Sequence, residues 1–269
     1  MAIVKGPFQL SGSISNVSFY TRKDSDKVIM RTKGGVDKKK INRSPQYESF
    51  RSQQKEWSGC TKMAATVRYA MWDIHKLGDY NITPVLNSLM NKIQKASTEG
   101  EKGSRPVCLS NYKQALEGFN LNRKYPFNSI LRVSTQTVLN RQELQAVVQV
   151  DRINPANDLQ NVQNLPYFRL IATLGTVSDM ERPDIRFNYQ PTVPMMHGAT
   201  ISVKSNWYRA NTIVEAHTLQ LQFDEKDIAE LTDKVTVMVG MGIEFGTTGI
   251  DGQPEAVKYA GSAKVLKVE

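Results

Sequence analysis

The sequence predicts an α+β fold: an N-terminal arm and β-hairpin, a helical middle region, and a C-terminal antiparallel β-sandwich of Ig-like or jelly-roll-like type. Three observations point there. Residues 15–35, "SNVSFYTRKDSDKVIMRTKGG", alternate along two short runs around an acidic turn. Between residues 44 and 117 apolar residues recur at helical spacing. From residue 131 onward, seven runs rich in Val, Ile, Thr and aromatics are separated by turn residues. The chain has 269 residues, 40% hydrophobic and 23% charged, so it can bury a sizeable core. The expected segments are 1–43 (arm, hairpin and basic connector), 44–125 (helical) and 126–269 (sandwich).

The hairpin has a definite register. With Lys23–Asp26 as the loop, Arg22 faces Lys27, Thr21 faces Val28, Tyr20 faces Ile29, Phe19 faces Met30 and Val17 faces Thr32. Strand side chains alternate with period 2. One face therefore collects Val17, Phe19, Thr21, Val28, Met30 and Thr32. The other collects Ser18, Tyr20, Arg22, Lys27, Ile29, Arg31 and Lys33. The first needs cover, because an isolated two-stranded hairpin is marginal in water. Ile3, Val4, Phe8 and Leu10 before it read as an extended arm. "TKGGVDKKKINR" after it reads as a solvated connector.

Ser44-Pro45 is a helix start, with Ser as N-cap and Pro in the first turn. Tyr47, Phe50 and Trp57 follow at helical spacing. After an irregularity at Gly59 the pattern resumes with Met63, Val67, Met71 and Ile74, and Gly78 closes it. A second helix opens at Thr83-Pro84 and stripes Val85, Leu86, Leu89, Met90 and Ile93 along one face. A short helix is expected over Ser110–Glu117. The strand expectations are 131–138, 144–150, 167–176, 198–206, 211–223, 234–245 and 255–268, with one helical turn in "DEKDIAEL". Seven such strands suggest a sandwich.

Chemical motifs are few. Cys60 and Cys108 make no disulfide framework and read as reduced, half-buried thiols. His75, His197 and His217 lack metal-ligand spacing, and His75 and His217 read as structural. "GMGIEFGTTGIDG", residues 240–252, lies within a strand pattern. Its glycines suit bulging or close backbone approach better than a phosphate cradle. Asp179, Glu181 and Asp184 read as a polar loop around Pro183. A catalytic site assembled only in three dimensions would show as a cleft joining His197 or His217 to these acids. No cofactor or metal motif is found, and no small-molecule substrate is indicated. The expectation is a non-enzymatic protein.

Charge is the signal with weight. The chain carries a net +9. Residues 1–130 hold 22 Lys+Arg against 10 Asp+Glu, a net of +12; residues 131–269 hold 13 against 16, a net of −3. This asymmetry suits either an acidic partner for the first half or head-to-tail contact between copies. Tyr20, Arg22, Lys27, Arg31, Lys33, Lys38, Lys39, Lys40 and Arg43 are the candidate contacts to nucleic acid or another acidic partner. The other reading is that edge strands carry Lys and Arg against unwanted pairing. No apolar run is long enough to span a membrane, and no secretory leader is seen. The expected location is the cytoplasm, or a particle assembled there.

The segments "IVKGPFQLSGSISNVSFYTRK", "DKVIMRTKGG", "SPQYESFR", "ITPVLN", "LPYFRLIATLGTVSDM" and "VKYAGSAKVL" span most of the length. On them the chain resembles an uncharacterised conserved protein family of the Bacteroidota. The resemblance implies synthesis in the cytoplasm of such a bacterium or its phage, and no activity. The functional expectation is a structural protein, a homo-oligomer that packs into a filament, tube, shell or virion component. Its candidate assembly contacts are Ile3, Val4, Phe8, Leu10, Val17 and Phe19. The alternative is a basic nucleic-acid-binding protein using the hairpin and residues 33–43.

Overall fold

In the computed structural model, which describes residues 2–4, 11–22, 25–184 and 186–269, four short antiparallel strands open the chain. They are β1 (Ala2–Val4), β2 (Gly12–Ile14), β3 (Val17–Arg22) and β4 (Ser25–Thr32), in the order β1-β4-β3-β2. The expected register holds from Val17↔Thr32 to Thr21↔Val28. It changes at the turn: an irregularity lets Arg22 pair with Ser25, not Lys27. Ser25 and Asp26 therefore belong to β4 and not to the loop; Lys23 and Asp24 lie outside the described residues. Nor does the hairpin stand alone. β1 pairs with β4 through Ile3↔Ile29 and Val4↔Val28, and β2 pairs with β3 through Ile14↔Val17. With strands on both sides of β4, Val28 and Ile29 are both buried although they face opposite ways. Ile29 is thus not an exposed member of the basic face.

The connector is a second correction. Lys38–Arg43 form a short helix, α1, whose N-cap Asp37 accepts from the Lys39 amide at 3.2 Å. At its other end Arg51 Nη1 donates to the Ile41 and Ser44 carbonyls at 2.6 and 2.8 Å. A cation meets the carbonyl end of the helix dipole. A tight turn at Pro45–Tyr47 then leads into α2 (Glu48–Tyr69). The chain divides into two compact units, residues 1–51 and 52–269.

The second unit is mixed α+β. Its helices are the remainder of α2, α3 (Trp72–His75) and α4 (Thr83–Ala96), followed by α5 (Phe127–Ile130). Then come β5 (Thr135–Asn140), β6 (Gln145–Val150), α6 (Pro155–Asp158), β7 (Tyr167–Ser178), β8 (Met180–Glu181) and β9 (Gln190–Pro191). The chain ends with β10 (Thr200–Lys204), β11 (Tyr208–Arg209), β12 (His217–Gln222), α7 (Glu225–Ala229), β13 (Val235–Thr248) and β14 (Pro254–Val268). A tight 3₁₀ stretch, kinked at Tyr112, spans Leu109–Leu116 where a short helix was expected.

Two antiparallel sheets face each other: β10-β7-β13-β14, with β11 beside β7, and β12-β6-β5. Phe168, Leu170, Ala172 and Leu174 of β7 and Val237, Val239, Met241 and Ile243 of β13 fill the space between them. Leu139, Ala146, Val148, Leu219 and Leu221 meet them from the smaller sheet. The alternate positions of the large sheet do not face water. Ile171, Val177, Met238, Ala263 and Val265 pack against Met63, Val67, Met71, Ile74, Leu86 and Met90 of the helices. The large sheet is therefore buried on both faces, which is why β7 and β13 read as apolar runs without alternation.

Close approach decides the second interface. A Cβ on Gly175 would overlap the Ala70 carbonyl oxygen, and one on Gly240 would overlap Ile74 Cδ1. One on Gly242 would lie 2.5 Å from Leu77 Cδ1. These glycines, with Thr173 and Ala263, form a low floor on which residues 70–77 sit. The glycine run 240–252 is thus explained by packing at its first two glycines. Gly59 is likewise no irregularity. α2 runs through it, and a Cβ there would meet the Tyr189 ring at 2.7 Å.

A polar network ties the helices together. Glu56, 5% exposed, accepts from Arg105 Nε and Nη2 and from the Gly103 amide, all at 2.8 Å. Tyr189 and Gln94 donate to the Arg105 carbonyl at 2.7 and 3.0 Å. Burial works to raise the Glu56 pKa, but the Arg105 fork and the Gly103 amide outweigh it and hold it below the ordinary carboxylate value.

Two measurements check these contacts. In denaturant unfolding, Gly175→Ala should cost about 3 kcal/mol through overpacking. Gly34→Ala, which meets open space, should stay within about 0.5 kcal/mol. A carboxylate with a depressed folded pKa stabilises above its unfolded value, here 4.5, and loses that contribution as pH falls through the folded value. Glu56→Gln should therefore cost about 2 kcal/mol at neutral pH and flatten the loss of stability below pH 4.5.

Candidate functional site

The basic residues of the N-terminal unit arise from two elements. On the sheet, Tyr20 pairs with Ile29 and Ser18 with Arg31. Pairing places Tyr20, Ile29, Arg31 and Ser18 on one face, and alternation adds Lys27. Arg31 and Lys27 are exposed and Tyr20 is half-buried. Lys33 is exposed, and its Nζ donates to the Ser15 carbonyl at 2.8 Å, tying the end of the hairpin to its neighbouring turn. For Arg22 only the backbone pairing is described. On α1, Lys38, Lys39, Lys40 and Arg43 are all exposed. At 3.6 residues per turn, Lys39, Lys40 and Arg43 share an arc of roughly 100°, with half-buried Ile41 turned away from them. The expected contacts thus fall on strands β3 and β4, on Lys33 just beyond β4, and on α1.

The candidate assembly residues also divide. Ile3 and Val4 are placed by their ladder with β4, and Val17 and Phe19 are half-buried on β3. Phe8 and Leu10 lie outside the described residues. β2 was not singled out from sequence. It is an edge strand exposed along its length, and Ile14 is 66% exposed. The three-residue stretch carries no alternation long enough to announce it.

The larger unit holds the groups that could do chemistry. Cys60 is buried beside Gln94 Oε1 at 3.1 Å, and burial together with the Glu56 charge pushes its thiol up to about 12. Cys108 is pushed up to about 11 by burial and then by Asp179. Both are therefore protonated at neutral pH. The Ser178 carbonyl lies 3.2 Å from His197 Nδ1 and can only accept, so Nε2 is the acceptor for the Thr66 hydroxyl at 2.6 Å. Burial lowers the His197 pKa and keeps it neutral. His217 Nδ1 lies 3.2 Å from the Glu215 carbonyl. Among the described residues no three His, Cys, Asp or Glu side chains gather as a metal-binding group.

One polar cleft of about 400 Å³ takes in Asp179 and Glu181 with Cys108, Ser110, Arg182 and Lys234. Asp179 is spoken for. Ser110 donates to it through its amide at 3.0 Å and its hydroxyl at 2.5 Å. Burial raises its pKa in spite of those bonds. The cleft includes neither His197 nor His217, so the geometry that would join a histidine to these acids is not formed by its walls. Asp184 instead pairs with Arg186 at 2.9 Å on the surface, which lowers its pKa.

No protein-family model, curated protein or solved structure matches the chain. Among the described residues no helix is long and apolar enough to cross a membrane.

The thiol assignment is directly testable. In the native protein at pH 8, neither Cys60 nor Cys108 should be alkylated over minutes, and both should react fully after denaturation. Rapid native labelling of either would contradict the burial described above.

Proposed function

We propose that this chain is a non-enzymatic structural protein that assembles with copies of itself through its N-terminal sheet. The carrying observation is that, among the described residues, β1 and β2 at the two edges of that sheet each pair with one strand alone. β1 and β2 have three residues each, and β2 is exposed throughout. A strand edge offers a row of backbone donors and acceptors to another chain. Ile14, exposed on that edge, gives an incoming strand an apolar contact. The charge split supports the same reading. A first half at +12 and a second half at −3 attract each other between copies and repel like against like. The resemblance to a Bacteroidota family adds a cellular setting and no activity.

A second reading has its own observation. Lys39, Lys40 and Arg43 lie on one arc of α1, a geometry suited to a phosphate backbone. Titration of the full chain with DNA and RNA separates the two. Under this second reading, affinity falls steeply with salt, and replacing Lys39, Lys40 and Arg43 with Ala weakens it about tenfold or more. Under the structural reading those changes leave assembly intact.

The structural reading is tested by sedimentation of the full chain at low and high salt. The wild type should form multi-copy species. Ile14→Lys places a charge on the open edge and should reduce the species built through it about tenfold. A wild-type chain that stays monomeric at every salt and protein concentration overturns the proposal.

A further inference from the structure

The smaller sheet of the second unit has an unusual chemistry. Its strands read TQTVLN, QAVVQV and HTLQLQ. None of the three carries Lys, Arg, Asp or Glu, in a chain that is 23% charged. The pairings Gln136↔Gln149↔Thr218, Val138↔Val147↔Gln220 and Asn140↔Gln145↔Gln222 define its outer face. Six of these nine positions are exposed, and Val138 is 61% exposed near the middle of β5. The opposite face belongs to the core through Leu139, Ala146, Val148, Val150, Leu219 and Leu221.

Among the described residues β5 is an edge of this sheet and pairs with β6 on one side alone. Open edges normally carry a Lys, a Pro or an inward charge that blocks pairing with another chain. The edges of the larger sheet follow that practice, whereas β12, the opposite edge of the small sheet, also lacks a charge but exposes only polar side chains. β14 carries Lys258, Lys264 and Lys267, and its backbone is further engaged by residues 118–121. β10 ends in Lys204. β5 has no such guard: its exposed side chains are Gln136 and Val138, and the other exposed positions of the outer face are Gln149, Thr218, Gln220 and Gln222. A primary amide both donates and accepts, so a face of this composition complements itself. A charged face would repel its own copy, and this face carries no charge.

From the unguarded edge and the charge-free face together, we infer that β5 is an interface to a second copy of this chain, pairing with its own counterpart across a two-fold axis. The two small sheets join into one continuous six-stranded sheet. An axis perpendicular to the sheet keeps both inner faces on one side, so residues of like parity stand opposite each other. Val138 then faces Val138 of the second copy, and Gln136 faces its Asn140. The occupant is a second copy because a charge-free face of amides complements itself and carries nothing that its own copy would repel. This surface is separate from the N-terminal sheet. Together the two would let each copy bind neighbours at two places.

The test uses the full chain and charges at the axis. Val138→Lys sets two cations face to face and Val138→Glu two anions. Each should weaken the dimer about tenfold or more, and an equimolar mixture of the two should restore association as a heterodimer. Sedimentation and native mass spectrometry resolve the species. Because Val138 is exposed, circular dichroism and the melting temperature should be unchanged, which separates loss of contact from loss of fold. Ile14→Lys should leave this dimer in place. If the N-terminal reading is wrong and this one right, Ile14→Lys has no effect on wild-type mass while Val138→Lys gives monomer. A mixture that associates no better than either variant alone overturns the inference, as does a wild-type species whose mass Val138→Lys does not change.

Discussion

The constraint on which the larger unit depends is how near residues 70–77 come to the sheet beneath them. Gly175 lets the Ala70 carbonyl come against the sheet backbone, and Gly240 and Gly242 leave room for the side chains above them. Ala70, Ile74 and Leu77 fill the space so released. Everything outward from there follows. The large sheet is buried on both faces, so it can be built almost wholly of apolar residues. The helical layer is held against it by a second core, distinct from the one between the two sheets. The Glu56–Arg105 fork then fixes α2 to the loop before Val107. Glu244, on the same face of β13 as Gly240 and Gly242, is buried and neutralised by Arg169 at 2.6 Å and Lys76 at 3.3 Å. Arg169 in turn stacks on Trp207, with 4.3 Å to the ring centroid.

The N-terminal unit is built differently. There, Val28 and Ile29 are the buried apolar side chains among the described residues. Four short strands, whose edge strands β1 and β2 each pair on one side alone among the described residues, gain little from burial. The physical logic of strand addition is therefore strongest in the unit that has least core. The basic residues sit in the same unit, on a sheet face and on α1, where they raise the cost of packing identical surfaces and favour a neutral or acidic counterpart.

Much of the sandwich was legible from residue patterns. Strands 144–150, 167–176, 234–245 and 255–268 each overlap an observed strand closely, because β-branched and apolar runs bounded by turn residues have few other solutions. The glycines of 240–252 were rightly read as a packing device, yet their partner could not be named. A run of alternating small residues does not say which helix it will receive. Gly59 misled for the converse reason: a mid-helix glycine signals a break locally, and the Tyr189 ring that requires it is 130 residues away. α1 was hidden because three consecutive lysines read as solvent-exposed chain, whereas the Asp37 cap and the Arg51 clamp come from either side of it. β1 and β2 are too short for periodicity to register at all. Of the candidate basic set, Lys27, Arg31, Lys33, Lys38, Lys39, Lys40 and Arg43 are exposed and Tyr20 is half-buried, while Ile29 on the same sheet face is buried. β5 was legible as strand but not as interface, since a missing charge draws no attention until the face and the edge are seen together.

The central claim is that this chain builds assemblies of itself and performs no catalysis. Electron imaging of the native protein, purified from its own source without denaturation, tests it most directly. The account predicts particles containing several copies in repeated contact, with density continuous from one copy to the next at the N-terminal sheet. Particles the size of a single chain, at every concentration and salt condition, would contradict it.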